Sequence, residues 1–168
     1  MPVWNEDGVK YVQSNTILRM VCARGNMHSM DPATGWAIDS FLEAVEDNAG
    51  KIGPLFNKIV FGQGADTVTD EDMDKAKEYV DKLCGLMEKR LTSHGKKYLC
   101  GDGATAADCK IAAAFYAHIY NDGFGVTDAQ RDTLKAQVAK YPGAKTYLEV
   151  TVPSLLGGYF ATRPKAAY

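Results

Sequence analysis

A run of apolar residues at helical spacing limits most strongly how this chain can fold. The residues of this run occupy every third or fourth position: Met73, Ala76, Val80, Leu83, Met87 and Leu91. That spacing keeps one face of a helix apolar over about six turns. Thr69 and Asp72 precede the run at capping-box spacing, and Gly95 follows it. The pattern predicts a long amphipathic helix whose apolar face other helices must cover.

Further helical patterns surround this stretch. Asp31 and Pro32 predict the start of a second helix, and Gly53-Pro54 is expected to kink or break it. Thr105 and Asp108 cap a third helix, with Ile111, Phe115 and Ile119 turned inward. Two shorter helices are expected at 128–139 and 144–152, before a tail that contains Pro and Gly. The expected core includes the following apolar residues: Phe41, Val80, Leu83, Ile111 and Phe115.

The first residues show a different pattern. Val3 to Asn5 and Val9 to Val12 predict two short strands, joined by an Asp-Gly turn. Ser14 is expected to be the N-cap of a helix that runs to about Arg24, since serine is a good N-cap. A lone hairpin is marginally stable in water and has an unpaired edge, so we expect a partner to cover it.

Composition excludes several classes of protein. With 19 basic and 21 acidic residues, the net charge is −2 and no basic block is present, so we expect no nucleic-acid partner. The longest apolar run of note, Ile111 to Ala117, is too short to span a membrane, and the start does not resemble a signal peptide. The four cysteines form no C-x-x-C pair. We therefore predict buried free thiols, no metal site, and a cytoplasmic or other reducing compartment.

Three separated blocks carry a resemblance to a known family. The first is Pro2-Val3, Gly8 and Gln13-Ser14-Asn15-Thr16-Ile17-Leu18-Arg19; the second is Gly101-Asp102-Gly103-Ala104-Thr105-Ala106-Ala107-Asp108; the third runs from Tyr141-Pro142-Gly143 through Tyr147-Leu148 to Arg163-Pro164. In this order they resemble cytosolic glutathione transferases of the pi/mu/sigma/alpha type, over nearly the whole chain. The resemblance implies a mainly α protein. A partial thioredoxin-like β-β-α unit (1–27) would precede the all-α C-terminal domain (28–168).

The resemblance also implies part of a glutathione site. Gln13 and Ser14 match the residues that hold the γ-glutamyl end, and a helix N-terminus favours that carboxylate. Met1 and Pro2 match the segment where the family's backbone pairs with the cysteinyl part, next to a cis-proline. Asp47 matches an acid that binds the γ-glutamyl amine in the neighbouring subunit. Alternatively, Ser14 is only a helix cap and Asp47 only a solvated charge. Glutathione is the expected ligand or co-substrate, with no cofactor.

Other residues are given structural roles. Thr105 and Asp108 match the family's helix cap, which satisfies backbone donors without a ligand. Arg19 resembles a dimer-contact position, although an exposed helical arginine fits the pattern equally well. The hydroxyl or thiol that ionises glutathione in the family belongs to a segment that would precede Met1, so no catalytic residue is assigned here.

Three functions follow from this pattern. The first is a non-catalytic structural or accessory subunit of a larger assembly, with a protein partner on the hairpin edge or a family-type homodimer. The second is an active glutathione transferase whose N-terminal ~50 residues are missing from this sequence. The third is a non-catalytic binder of glutathione or of a hydrophobic ligand.

Overall fold

A computed structural model describes residues 2–62 and 64–163. Strands β1 (Trp4–Glu6) and β2 (Val9–Tyr11) pair antiparallel, with Trp4 opposite Tyr11. Asp7 and Gly8 both have positive φ, at 52° and 80°, as the tight hairpin turn requires. Within the described residues the sheet has these two strands alone, and Val3, Trp4 and Val9 are exposed. The hairpin therefore agrees with the predicted strands and leaves apolar side chains uncovered.

Helices make up the rest of the fold. Helix α1 is Ser14–Arg24, α2 is Pro32–Val60, α3 is Asp70–His94, α4 is Ala106–Tyr116, α5 is Asp128–Val138 and α6 is Pro142–Thr146. A π-helical turn, Tyr147–Thr151, leads from α6 into α7, Val152–Thr162. A short 3₁₀ turn, Ala65–Thr67, lies between α2 and α3. No helix in the described part of the chain is long and apolar enough to cross a membrane.

The helical core forms where α2, α3 and α4 meet. Helix α2 packs on α3 and α4, and α3 also packs on α5 and α6. All five expected core residues are buried, with at most 1% of their surface exposed: Phe41, Val80, Leu83, Ile111 and Phe115. Ile119 is also fully buried, as predicted, although it lies just beyond the end of α4.

Two boundaries differ from the expectation, and the first is that α2 is not broken at Gly53-Pro54. Helix α2 continues through Pro54 to Val60, because Ile52 and Leu55 are buried on either side of the proline. The exposed Gly50 lies at the position whose carbonyl loses its helical partner, so water can satisfy it. The expected tail is helical as far as Thr162, because Leu156 and Phe160 pack against the core. The last part of that tail, residues 164–168, lies outside the described residues.

The hairpin and α1 are joined to the bundle by polar contacts. The Ala106 N–H donates to the Met27 carbonyl at 2.8 Å, which ties the end of the α1 segment to the start of α4. Arg24 donates two hydrogen bonds to the Glu6 carboxylate, both at 2.7 Å, and so joins the hairpin to α1. These contacts attach the C-terminal end of α1 to the start of α4 and to the hairpin.

Candidate functional site

The backbone is unusual where α1 begins. Gln13 has φ 74° and ψ 108° and is the N-cap residue, so Ser14 is the first residue of the helix. The prediction that Ser14 is the N-cap was wrong by one position. A non-glycine residue rarely adopts positive φ, and such strain often marks a functional site.

The first turn of α1 has free hydrogen-bond donors. No side chain caps this helix, and the first intrahelical bond runs from the Ile17 N–H to the Gln13 carbonyl at 2.9 Å. Among the described residues, none bonds to the Ser14 hydroxyl or to the Gln13 side-chain amide. The free N–H groups of the first turn and the helix dipole favour a bound anion.

A shallow polar cleft of about 300 Å³ opens at this turn. Its lining comes from the first turns of α1 and from the acidic face of α2: Gln13, Ser14, Asn15, Thr16, Arg19, Glu43 and Glu46. The cleft thus offers anion-binding donors on one wall and carboxylates on the other. Both carboxylates are paired with basic side chains of the same chain, so the groups left for a ligand are the donors of the first turn of α1.

Ion pairs hold the two walls together. Arg19 donates to Asp39 and to Glu43, each at 2.7 Å, and its side chain is 28% exposed. The hydrogen bond that Arg19 donates to Asp39 is the main cause that raises the pKa of Arg19, and the bond to Glu43 acts in the same direction. Lys110 of α4 donates to the Asn15 side chain at 2.9 Å and also pairs with Glu46. Arg19 was expected to be either a dimer contact or an exposed helical arginine. In the structure it is partly buried and paired within its own chain.

The structure brings together two of the predicted ligand residues. Gln13 and Ser14 are adjacent at the cleft, and Pro2 is exposed just before β1. Met1 lies outside the described residues, and so does the Met1–Pro2 bond. Asp47 is exposed on α2 and does not line the cleft of its own chain. Its role in a second copy stays a prediction.

Sequence reasoning missed the acidic face of α2, of which Glu43 and Glu46 line the cleft. Asp39, Glu43 and Glu46 stand at i, i+4 and i+7 of α2, and this spacing places them on one helical face. The spacing of these acids is visible in the sequence and indicates a helical face that could pair with basic side chains such as Arg19 and Lys110. Nothing local indicates, however, that α1 lies against this face.

Thr105 and Asp108 form the cap at the start of α4, and the Asp108 side chain is fully buried. The Asp108 carboxylate accepts from the Thr105 N–H at 2.7 Å and from the Thr105 hydroxyl at 2.9 Å. It also accepts from the Leu99 N–H at 3.0 Å and from the Tyr147 hydroxyl at 2.7 Å. Asp108 therefore joins the start of α4 to the preceding loop and to the π-helical turn.

All four cysteines are free. Cys22 and Cys84 are buried as predicted, whereas Cys100 and Cys109 are only half-buried. Burial is the main cause that raises the pKa of each thiol. No cluster of three or more metal-ligating side chains occurs in residues 2–62 and 64–163.

Comparison with known proteins gives a consistent match. Residues 56–151 match the model of the C-terminal domain of glutathione S-transferases. Glutathione S-transferase A of Cavia porcellus is 26% identical over 155 residues, which cover 89% of this chain and 66% of that protein. Glutathione S-transferase A3 of Mus musculus is also 26% identical, with the same coverage. The chain thus spans 66% of the length of these relatives.

Solved structures give the same fold. The glutathione S-transferase of Ascaris lumbricoides superposes with a TM-score of 0.76 at 22% identity. The monomeric Na-GST-3 of Necator americanus, a glutathione S-transferase, has a TM-score of 0.76 at 24% identity. Each superposition covers 100% of this chain and 76% of the other. At these identities the likeness is one of fold.

Proposed function

Because this chain belongs to the glutathione transferase family, we propose that it binds the γ-glutamyl end of glutathione where α1 begins. The observation that carries this proposal is the strained Gln13 beside a helix start whose donors are free. The Ser14 hydroxyl and the first N–H groups of α1 hold the carboxylate. The Gln13 amide bridges the carboxylate and the amine.

The amine of the ligand needs a negative partner. Glu43 and Glu46 line the cleft but are already paired with Arg19 and Lys110. Asp47, by contrast, is exposed, and no ion pair involving it occurs among the described residues. We therefore assign the amine to Asp47 of a second copy, in a family-type homodimer. The segment Met1-Pro2 is assigned to the cysteinyl part of glutathione, through strand-like backbone pairing.

Residues 1–168 alone are proposed to be non-catalytic. In the family that this chain resembles, thiol ionisation uses a hydroxyl or thiol from a segment that aligns before Met1. A structural or accessory subunit fits the exposed hairpin, since its edge and its apolar Val3, Trp4 and Val9 suit a partner strand. The second candidate is an active transferase in which ~50 further residues precede this chain. The span of 66% of the relatives' length supports it.

Calorimetric titration with glutathione tests the binding proposal. The wild-type chain is expected to bind, and Ser14→Ala is expected to bind roughly 10- to 100-fold more weakly, because a hydrogen bond to a charged carboxylate is lost. Ser93→Ala is the matched control: Ser93 is exposed near the end of α3, and its hydroxyl bonds only to Arg90. Equal affinity of wild type and Ser14→Ala, or no binding by wild type, would contradict the proposal.

Intact mass and activity separate the two candidate functions. If the native protein has a mass of 18.3 kDa, the mass of these 168 residues, conjugation of glutathione to a generic electrophile is expected to stay near background. A native mass well above this value favours the active transferase. Turnover by the 168-residue chain that is lost in Ser14→Ala would disprove the non-catalytic assignment.

A further inference from the structure

Lys110 of α4 contacts the start of α1 beside the cleft. Its ammonium group donates to the Asn15 side-chain oxygen at 2.9 Å and pairs with Glu46 of α2. Asn15 is the second residue of α1, and its side-chain nitrogen lies 3.5 Å from the Glu43 carboxylate. Lys110 therefore joins α1, α2 and α4 at the turn where the ligand is proposed to bind.

The Lys110 side chain supports the cleft without lining it. It is only 15% exposed, and the residues that line the cleft include Asn15 and Glu46 but not Lys110. A charge with so little access to water needs hydrogen-bond partners within the protein. The two acceptors therefore fix the ammonium group, and a fixed donor holds the Asn15 side chain in one orientation.

Hydrogen bonds to α4 hold both ends of the α1 segment. Just beyond its C-terminal end, the Met27 carbonyl accepts from the Ala106 N–H, and at its first turn Asn15 accepts from Lys110. The second contact lies two residues after Gln13, whose positive φ persists only if the surrounding structure holds it. Within the described residues no side chain caps this helix, so the Asn15 contact helps to hold the strained backbone.

We propose that Lys110 is a positioning residue for the γ-glutamyl end of glutathione, which through Asn15 fixes the first turn of α1 with its free N–H groups in place for the ligand carboxylate. This inference rests on the proposed binding of glutathione at α1. Donors that are already ordered bind more tightly, because the ligand does not have to order them. Without the bond from Lys110 the first turn is expected to fray, as unsupported helix ends do.

Calorimetric titration of the full chain with glutathione measures the effect of Lys110 on affinity. Lys110→Met is expected to bind about tenfold more weakly than wild type, which matches the net contribution of one hydrogen bond. Lys110→Arg is expected to stay within about threefold of wild type, since its guanidinium can donate to both acceptors. Lys51→Met is the matched control and should keep the wild-type affinity. Lys51 also joins two helices through an ion pair, with Glu78, but does not line the cleft.

A double-mutant cycle shows whether Lys110 acts through Asn15. In the Asn15→Ala background, Lys110→Met is expected to weaken binding by about threefold or less, because the contact that it removes is already absent. The Glu46 carboxylate loses its partner in both backgrounds, so its effect cancels in this comparison. A tenfold loss in both backgrounds would overturn the positioning role. Wild-type affinity of Lys110→Met, or an equal loss in Lys51→Met, would overturn it as well.

NMR relaxation of the ligand-free chain separates this role from glutathione binding itself. The backbone order parameters of Ser14, Asn15 and Thr16 are expected to fall in Lys110→Met and to stay unchanged in Lys51→Met. If wild type does not bind glutathione but the order parameters fall in this way, the proposed function fails and the positioning of the turn stands. Unchanged order parameters in Lys110→Met would overturn the positioning role. Lys110→Leu replaces Lys110→Met in every measurement if that variant does not fold.

Discussion

At the scale of single residues, burial decides how much a phenylalanine side chain contributes to the free energy of unfolding. Phe115 of α4 is fully buried in the core. Phe61, just after α2, is 74% exposed. Removing a buried phenyl ring forfeits its transfer free energy and leaves a cavity, whereas an exposed ring is already in contact with water. The two positions therefore form a natural pair for comparison.

Phe115→Ala is expected to lower the free energy of unfolding by roughly 3–5 kcal/mol. Phe61→Ala, the matched control, is expected to change it by less than about 0.5 kcal/mol. Urea denaturation followed by circular dichroism measures both values. A similar small loss in the two variants would show that Phe115 does not pack as described.

At the scale of elements, helices that begin with similar capping sequences differ in the hydrogen bonds that their capping residues make. Helices α3, α4 and α5 each begin after a threonine, with an acid or amide three residues later. Asp108 is fully buried and accepts from three different residues: Leu99, Thr105 and Tyr147. Gln130 of α5 bonds near the surface to the Thr127 N–H and to the Ala65 carbonyl. The cap of α4 thus joins three elements, whereas that of α5 serves mainly its own helix.

Asp108→Ala is expected to lower the free energy of unfolding by about 3 kcal/mol or more, because it leaves the Leu99 N–H and the Tyr147 hydroxyl buried without an acceptor. Gln130→Ala, the control at the equivalent position of α5, should cost about 1 kcal/mol or less. Chemical denaturation of both variants gives the comparison. Equal losses would mean that the buried contacts of Asp108 add nothing to an ordinary cap.

At the scale of the whole molecule, one carboxylate between the two longest helices makes the stability of the fold depend on pH. Asp72, at the start of α3, accepts from Lys58 of α2 and from Thr69. The Lys58 hydrogen bond is the main cause that lowers the pKa of Asp72 to about 2, followed by the Thr69 backbone. Since the folded pKa lies below the unfolded value of about 3.9, the stabilisation is complete above that value and is lost as the pH falls through about 2.

The free energy of unfolding is accordingly expected to fall by about 1–2 kcal/mol between pH ~4 and pH ~2 through this group. Asp72→Asn should flatten this part of the acid dependence. Asp74→Asn is the control, because Asp74 is exposed and pairs only with Lys77 of its own helix. Denaturation at graded pH measures the slopes; an unchanged slope in Asp72→Asn would refute the assignment.

Local sequence determined much of the fold. The hairpin turn at Asp7-Gly8, the extent of α1 to Arg24, and the starts of α2, α3 and α4 follow from turn and capping chemistry. Such signals lie within four residues of each other, so the sequence carries them directly. The apolar face of α3 could also be predicted from the sequence, because helical spacing is a local property. The family motif singled out Gln13 and Ser14, which line the cleft, and their role in binding stays a prediction.

Only the tertiary structure decided the remaining features. Packing at Leu55 carries α2 past Pro54, and packing at Phe160 keeps the last segment helical. The ion pairs of Arg19 with Asp39 and of Lys110 with Glu46 join residues that are far apart in the chain. The periodicity of a local sequence does not specify which helix faces pack together, because that choice depends on burial summed over the whole molecule.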